Sequence, residues 1–502
     1  MIEGSFPLLS ILVAVPALGA LLLWLVPSLR ARGREFAIAV SLVELVLAIV
    51  VAFQFDWTAA SAYQLFESAS WIAPLGVSWS LAVNALGLVM ILLSAVLVPL
   101  VLLATPASSD RRFEGGYAAL ILLLYAFIIV IFAAFDVVVF YLAFEAMLLP
   151  LYFMIGRYGT GENRRAAAMK FLIYSLVGGL AMLGGLVTIY SSAGHSGFNG
   201  VLFRYDTLAA VLPQTAFGIQ MAIFITFFIA FAIKAPMVPV HTWLPDTAAA
   251  ARPGTSVLLV GILDKIGTFG MIVLCLTFVP DAAYASRWTI LVLAVVSILW
   301  GGFAANGQKD LLRLVSFTSV SHFGFMVLGI FIGSQVALTG AMFYMVAHGL
   351  SIAALFLISG FLIERGGSQE IARYRGMQRV TPVLAGTWLF AGMASIALPG
   401  LSGFVPEYLV LMGTYSVNIP LAIFAVFGIV LAAMYILLPY QRMFTGPKRA
   451  DLEDAPDLNG VQKLAITPLL VGMLALGIWS APLVNSLSQV AEPTVVTVDE
   501  GN

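Results

Sequence analysis

Cysteine and charge are both scarce in this chain of 502 residues. The single cysteine, Cys275, excludes an intrachain disulfide framework and a paired-cysteine metal or redox site. Charged residues make up only 10% of the chain, whereas a soluble domain averages about 25%, so an ordinary water-soluble protein is excluded. The formal net charge is −1, which leaves no basic surplus for binding nucleic acid. No glycine-rich phosphate-binding loop is present either.

Hydrophobic residues are abundant instead, at 61% of the chain, and the mean hydropathy is +1.04. They form fourteen apolar stretches, and about 20 such residues are enough to cross a bilayer. Continuous apolar runs that contain glycine favour helices over the alternating strands of a membrane barrel. The sequence therefore predicts an all-α polytopic membrane protein. The predicted spans are 8–28, 36–54, 80–104, 117–134, 136–155, 167–191, 215–234, 255–279, 288–305, 311–333, 336–363, 383–413, 419–441 and 464–488.

The cations are distributed unevenly between the two sets of loops. Twenty of the 24 Lys and Arg residues follow odd-numbered spans, and only Arg204 and Arg287 lie in the opposite loops. By the positive-inside rule the first set is cytoplasmic, so both termini, including a short tail after the last span, are expected outside. Glu3 and the lack of Lys or Arg before the first span argue against a cleaved signal peptide.

Several ionisable residues fall inside the predicted spans. A Lys at mid-membrane costs about 2.5–3.5 kcal/mol on insertion scales, so such residues mark structural ion pairs or proton-exchanging groups. Both interpretations stay open at this point, and the two histidines also fit ordinary buried imidazoles. The candidate proton-transfer residues, here called the ionisable row, are Glu145, Lys234, Lys265, His322, His348 and Glu407. Glu44 fits an acid at a lipid or subunit interface equally well, and Asp264 receives no role.

Two spans contain residues that interrupt a helix. The seventh has Pro236 and Pro239, and the twelfth has Pro399, Gly400 and Pro406. Prolines this close together break a helix. A broken helix at membrane depth requires cover from protein or water, and paired breaks in the two halves of a transporter mark its ion pathway.

The breaks and charges recur at one spacing. Lys234 and Glu407 are 173 residues apart, and Glu145 and His322 are 177 apart. The spacing predicts two inverted five-helix repeats, since an odd number of helices inverts the second copy. The predicted domains are 1–115 (helices 1–3), 116–280 (first repeat, helices 4–8), 281–443 (second repeat, helices 9–13) and 444–502 (a loop, helix 14 and the external tail).

The segment from Lys234 to Asp246, KAPMVPVHTWLPD, resembles the signature of the antiporter-like subunits of respiratory complex I. The stretch LDKIGTFG at 263–270, the span containing Glu145 and the segment 398–407 resemble that family as well. Most members carry Lys where this chain has Glu407, and an acid there is typical of the M-type branch. We expect no long lateral helix after the last span, unlike in the large subunits of that family. One departure is that the loop after Asp246 lacks the usual His and acidic residue.

The resemblance implies a proton-translocating membrane-arm subunit of NADH:quinone oxidoreductase. Glu145 and Lys234 would form a coupled pair and Lys265 would be the central carrier. The two histidines would pass the proton towards Glu407, which would exchange it with the outside.

The resemblance also implies the cofactors and partners. We expect no cofactor or metal in this chain, and FMN, iron–sulfur clusters and quinone in partner subunits. The expected partners are other complex I subunits, especially neighbouring antiporter-like ones, and the lipid of the inner or plasma membrane, but not nucleic acid. Alternatives are a subunit of a multisubunit Na⁺/H⁺ antiporter, which Glu407 disfavours, or of a membrane-bound hydrogenase. His241 and Asp246 are the residues that would suit an intramembrane lipid transferase or metalloprotease.

Overall fold

The fold is almost entirely helical over residues 6–106, 110–192 and 201–495, which are the residues that the computed structural model describes. The external tail predicted beyond the last helix lies outside these residues from 496 onward, as does the start of the chain up to residue 5. The helices are α1 (Leu8–Leu25), α2 (Pro27–Arg30), α3 (Gly33–Gln54), α4 (Ala85–Ala104), α5 (Arg111–Ala133), α6 (Val137–Ala146), α7 (Leu148–Gly156), α8 (Arg164–Ser192), α9 (Tyr205–Val211), α10 (Phe217–Lys234), α11 (Trp243–Ala250), α12 (Pro253–Leu258), α13 (Lys265–Gly270), α14 (Pro280–Asn306), α15 (Leu311–Phe331), α16 (Gln335–Gly366), α17 (Pro382–Ser395), α18 (Phe404–Val417), α19 (Ile419–Phe444), α20 (Gly460–Ile478) and α21 (Ala481–Thr494).

Thirteen helical segments of the described chain are long and apolar enough to cross a membrane. Two of them join neighbouring elements, α6 with α7 and the stretch Pro253–Leu276 that contains α12 and α13. The shorter helices α17 and α18 together fill the remaining predicted span, 383–413, with a break between them. The all-α, multi-pass prediction is therefore confirmed. The last predicted span is shorter than expected, because the helix stops at Ile478 and α21 begins anew.

A β-hairpin precedes α4, and the sequence analysis did not predict it. Strand β1 (Gln64–Ile72) pairs antiparallel with β2 (Val77–Val83), and the turn uses Gly76 at φ 74°. Residues 80–83 thus belong to a strand, although they were assigned to the third span. Asp136 connects the hairpin to the start of α6, because its carboxylate accepts a hydrogen bond from the Ser78 amide at 2.9 Å.

The loops that follow odd-numbered spans meet at one end of the bundle. Arg252 donates two hydrogen bonds to Glu114, at 2.9 and 3.0 Å. Nearby, Asp246 accepts from Lys170 at 2.7 Å and also from Arg313. These contacts join loops from both halves of the chain, as the predicted helix count requires. Which side of a membrane this end faces remains a prediction.

Helices differ sharply in burial. Nearly every residue of α15 and α16 is buried, so these two helices form the centre of the molecule. The outer helix α19 exposes a stripe of large apolar side chains, among them Ile423, Phe424, Phe427 and Val430. Such a surface suits lipid or another apolar protein surface, because there the exposed side chains are removed from water.

Candidate functional site

Glu145 lies at the end of α6, directly before the irregular turn that separates α6 from α7. Its carboxylate packs against the backbone of α8 at Gly179. A Cβ added to Gly179 would lie 1.7 Å from Oε1 of Glu145, so only glycine leaves space for this side chain. Oε1 is buried and has no hydrogen-bond partner among the described residues.

Lys234 is the last residue of α10 and is buried. Its Nζ has no hydrogen-bond partner in the part of the chain that the structure describes. It lies over the rings of Phe144 and Phe171, with 5.4 and 5.2 Å to the ring centroids, which are cation–π contacts. The carboxylates that interact electrostatically with Lys234 are Asp264 and Glu145. The predicted pair of Glu145 and Lys234 therefore shares one apolar chamber without a direct hydrogen bond.

The chain leaves the helical path directly after Lys234 and resumes it at α11. This is the first predicted break, and side chains cover the backbone that it frees. The carbonyl of Ile233 accepts a hydrogen bond from Trp243 Nε1 at 3.0 Å, and the Val238 amide donates to Ser297 Oγ at 3.0 Å. Such cover is what an unwound segment at membrane depth requires.

The second break separates α17, which ends at Ser395, from α18, which begins at Phe404. Gly400 lies between them with φ +90°, a left-handed conformation that favours glycine. Glu407 occupies the first turn of α18 and is 4% exposed. An acid is stabilised there by the partial positive charge of the helix N-terminus. The two broken helices are therefore confirmed, with Pro236, Pro239, Pro399 and Gly400 in the breaks. Pro406 was also expected in the second break, but it lies inside the first turn of α18, where the lack of an amide hydrogen is tolerated.

Lys265 is fully buried at the start of α13, near the middle of the bundle. Two π-helical segments flank α13, at 259–263 and 271–276. Such wide turns occur often at functional sites. The ammonium donates to the carbonyl of Val260 and lies 2.8 Å from Nδ1 of His348. It also lies 5.3 Å from the centroid of the Phe323 ring.

Aromatic side chains continue the contacts from His348 to Glu407. The rings of His348 and His322 have centroids 5.1 Å apart, and His322 Nε2 lies 3.1 Å from the hydroxyl of Tyr435. The ring of Tyr344 lies 5.8 Å from that of His322. The hydroxyl of Tyr344 donates to Oε2 of Glu407 at 2.7 Å. The structure thus brings the ionisable row into one band that passes both broken helices; five of its six members are buried, and Glu145 is half-buried.

Three buried side chains near this band were not included in the row. Tyr344 could have been found from the sequence, because it lies four residues before His348 and therefore on the same face of α16. Tyr435 carries no comparable signal, since α19 looks like a plain lipid-facing helix. Asp264, for which the sequence predicts no role, interacts electrostatically with both Lys265 and Lys234.

Other ionisable side chains lie apart from this band. Glu44 on α3 is fully buried, neither of its oxygens has a partner in the described chain, and it interacts electrostatically with Tyr125. His241, considered above for an intramembrane enzyme, accepts a hydrogen bond from Trp300 at 3.2 Å. Within residues 6–106, 110–192 and 201–495, no group of three His, Cys, Asp or Glu side chains is arranged to hold a metal ion.

Comparison with known proteins identifies the family to which this architecture belongs. The model of the family described as "NADH:quinone oxidoreductase/Mrp antiporter, TM" matches residues 134–432, more than half of the chain. The chain belongs to this family. The matched range contains both broken helices and every residue of the ionisable row.

Individual members of the NADH:quinone oxidoreductase/Mrp antiporter family match along nearly the full length. NADH-quinone oxidoreductase subunit M of Mycobacterium tuberculosis is 40% identical over 530 residues, which cover 99% of this chain and 95% of the relative. A chain of respiratory complex I from Thermus thermophilus has a TM-score of 0.86 and 29% identity, covering 97% of this chain and 99% of its own. A chain of the Mrp complex from Dietzia sp. shares the fold, with a TM-score of 0.87 over 98% of this chain and 97% of its own at 22% identity. Within the family this chain is thus similar to subunit M, as the sequence predicted.

Proposed function

We propose that this chain is a proton-translocating membrane subunit of an NADH:quinone oxidoreductase. The observation that carries the proposal is the band from half-buried Glu145 to buried Glu407, in which ionisable and phenolic side chains follow one another past two broken helices. The identity of its relatives supports the same assignment, because the subunit M of Mycobacterium tuberculosis is named as part of such an enzyme. The Glu407 carboxylate at the second break also favours this assignment over a Na⁺/H⁺ antiporter subunit.

The proton pathway begins at the chamber of Glu145 and Lys234. Burial in a medium of low dielectric constant disfavours a charged amine, and a nearby carboxylate favours it. A movement that separates Glu145 from Lys234 therefore releases the lysine proton towards Lys265. Such a separation is feasible because the two side chains are not held by a direct hydrogen bond. A charge displaced in a neighbouring subunit is the proposed cause of the movement.

The second half of the pathway leads from Lys265 to Glu407. His348 receives the proton at Nδ1, 2.8 Å from the lysine ammonium, and His322 lies next to it. Tyr344 connects the two histidines to Glu407, because its ring contacts the ring of His322 and its hydroxyl donates a hydrogen bond to Glu407. Glu407 then exchanges the proton with the outside, on the side opposite the arginine-rich loops. The redox chemistry belongs to partner subunits that carry FMN, iron–sulfur clusters and quinone, and neighbouring antiporter-like subunits contact this chain in the membrane.

The direct test uses the complete complex in inverted membrane vesicles. Glu145→Ala and Lys234→Ala are expected to assemble, and proton uptake per NADH oxidised is expected to fall in both, since the coupled pair is lost. A wild-type proton-to-electron ratio in both assembled variants contradicts the pathway.

A purification from mild detergent tests the assignment to the oxidoreductase itself. We expect a tagged chain to bring down flavin and iron–sulfur subunits, together with NADH:quinone activity sensitive to rotenone or piericidin. Recovery of small membrane partners alone, without NADH oxidation, would instead support the multisubunit Na⁺/H⁺ antiporter, whose fold the Dietzia Mrp chain shares.

A further inference from the structure

Asp264 is a buried carboxylate that the pathway described above does not use. It is fully buried, and neither Oδ1 nor Oδ2 has a hydrogen-bond partner among the described residues. Burying a carboxylate without hydrogen bonds is costly, and one inside a membrane span points to a function. It immediately precedes Lys265, which contacts His348 on the central helix α16.

The helix face that carries Asp264 packs on the broken end of α10. Gly267 lies three residues later, and residues three apart share one face of a helix. A Cβ on Gly267 would lie 2.6 Å from both the Ala235 amide and the Phe231 carbonyl, so the two backbones are in direct contact. Lys234 is the residue that ends α10 at this point. Asp264 therefore faces the end of the helix that carries Lys234.

Lys265 reaches in another direction, towards His348 on α16. The charges that interact most strongly with Asp264 are those of Lys265 and Lys234. Glu145 is the other carboxylate that interacts with Lys234. The signs of the charges thus alternate along the first half of the band, from Glu145 to Lys234, Asp264 and Lys265.

We propose that Asp264 is a proton-transfer residue, which carries the proton from Lys234 to Lys265; this inference rests on the proposed function. The two groups are not hydrogen-bonded in this structure, so the transfer begins when their side chains approach each other. The ammonium of Lys234 then gives its proton to the Asp264 carboxylate, which leaves a neutral amine and a carboxylic acid. The acid then protonates the neutral amine of Lys265 and becomes a carboxylate again. One proton has moved between the lysines, and Asp264 ends in its starting form. The carboxylate also reduces the repulsion that two nearby ammonium groups would otherwise experience.

The test compares Asp264→Asn with Glu44→Gln in the complete complex. Glu44 is a matched control, because it is equally buried and has unpartnered oxygens but lies on α3, outside the band. In inverted vesicles we expect Asp264→Asn to reduce proton uptake per NADH oxidised as far as Glu145→Gln does. Glu44→Gln is expected to match the wild type. Wild-type proton uptake in Asp264→Asn, alongside a loss in Glu145→Gln, overturns this inference alone. Wild-type uptake in both overturns the proposed pathway as well.

A second variant covers the case in which Asp264→Asn does not assemble. Asp264→Glu keeps the charge, and we expect it to retain proton translocation. A carboxyl group that gains and loses a proton gives a C=O stretching signal in the redox-induced infrared difference spectrum. We expect this signal to differ between wild type and Asp264→Glu, which a purely structural role for the residue would not produce. Identical spectra in the carboxylic-acid region overturn the inference.

Discussion

Replacing Gly179 by alanine would test the position of Glu145 without changing any charge. The added Cβ would lie 1.7 Å from Oε1 of Glu145, whereas real Cβ contacts are essentially never shorter than 3.0 Å. The carboxylate must therefore move by more than about 1 Å. A glutamate side chain has free torsions, and Ala is favoured over Gly within a helix by about 1 kcal/mol. The helix should accordingly form and the complex should assemble.

The expected loss lies in function, because the displaced carboxylate no longer fits the chamber of Lys234. A misplacement of about 1 Å in a reacting group can reduce a rate by about 10²-fold. We define this chain's share of proton uptake as the difference between wild type and Glu145→Gln. Gly179→Ala should reduce that share by at least about tenfold, which is less than the 10²-fold loss that a misplacement of about 1 Å can cause.

The assay is acidification of inverted membrane vesicles during NADH oxidation, with the amount of assembled complex measured in the same preparation. Gly184→Ala is the matched control on the same helix, since its Cβ would lie 4.0 Å from the nearest side-chain atom, on Thr226. Alanine at this open position stabilises the helix and displaces no catalytic group, so the proton uptake of Gly184→Ala should stay within about twofold of wild type. Full proton uptake in Gly179→Ala would refute the requirement for Glu145 at this position.

Further variants probe the outer half of the band and the loop contacts. Tyr344→Phe removes the hydrogen bond to Glu407 and should slow proton uptake by at least about tenfold, since hydrogen bonds to charged groups contribute about 1.5–3 kcal/mol. Tyr125→Phe should leave proton uptake unchanged, because the Tyr125 hydroxyl has no partner in the described chain. Burial raises the pKa of Asp246, but hydrogen bonds from Lys170 and Arg313 outweigh burial and hold that pKa below its ordinary value. The stabilisation by Asp246 is therefore present above pH about 3.9 and lost as the pH falls further. Asp246→Asn should lower the apparent Tm of the purified complex at neutral pH, by an amount equivalent to about 1 kcal/mol or less for a partly exposed pair. The difference in Tm between variant and wild type should disappear in acid. A difference that persists in acid would contradict the stabilising role of the Asp246 carboxylate.

The residues that could be predicted from the sequence are those whose signal is local. A proline pair interrupts a helix wherever it lies, and a charged residue inside an apolar run is visible without any knowledge of its neighbours. The hairpin at Gln64–Val83 was missed because its β2 half is apolar and runs directly into α4, which makes it look like the start of a span. Tyr435 was missed for a different reason, since only the packing of α19 against α15 brings its hydroxyl to His322.

The band also shows why the order of charges along the chain says little about their order in space. Lys265 follows Asp264 in the sequence, yet Lys265 contacts α16, while Gly267, three residues after Asp264, packs on the end of α10. A helix has 3.6 residues per turn, so two successive side chains point in directions about 100° apart. The two neighbouring residues can therefore serve consecutive steps of one pathway. This explains how a chain with so few charges places opposite charges next to one another along the first half of the band.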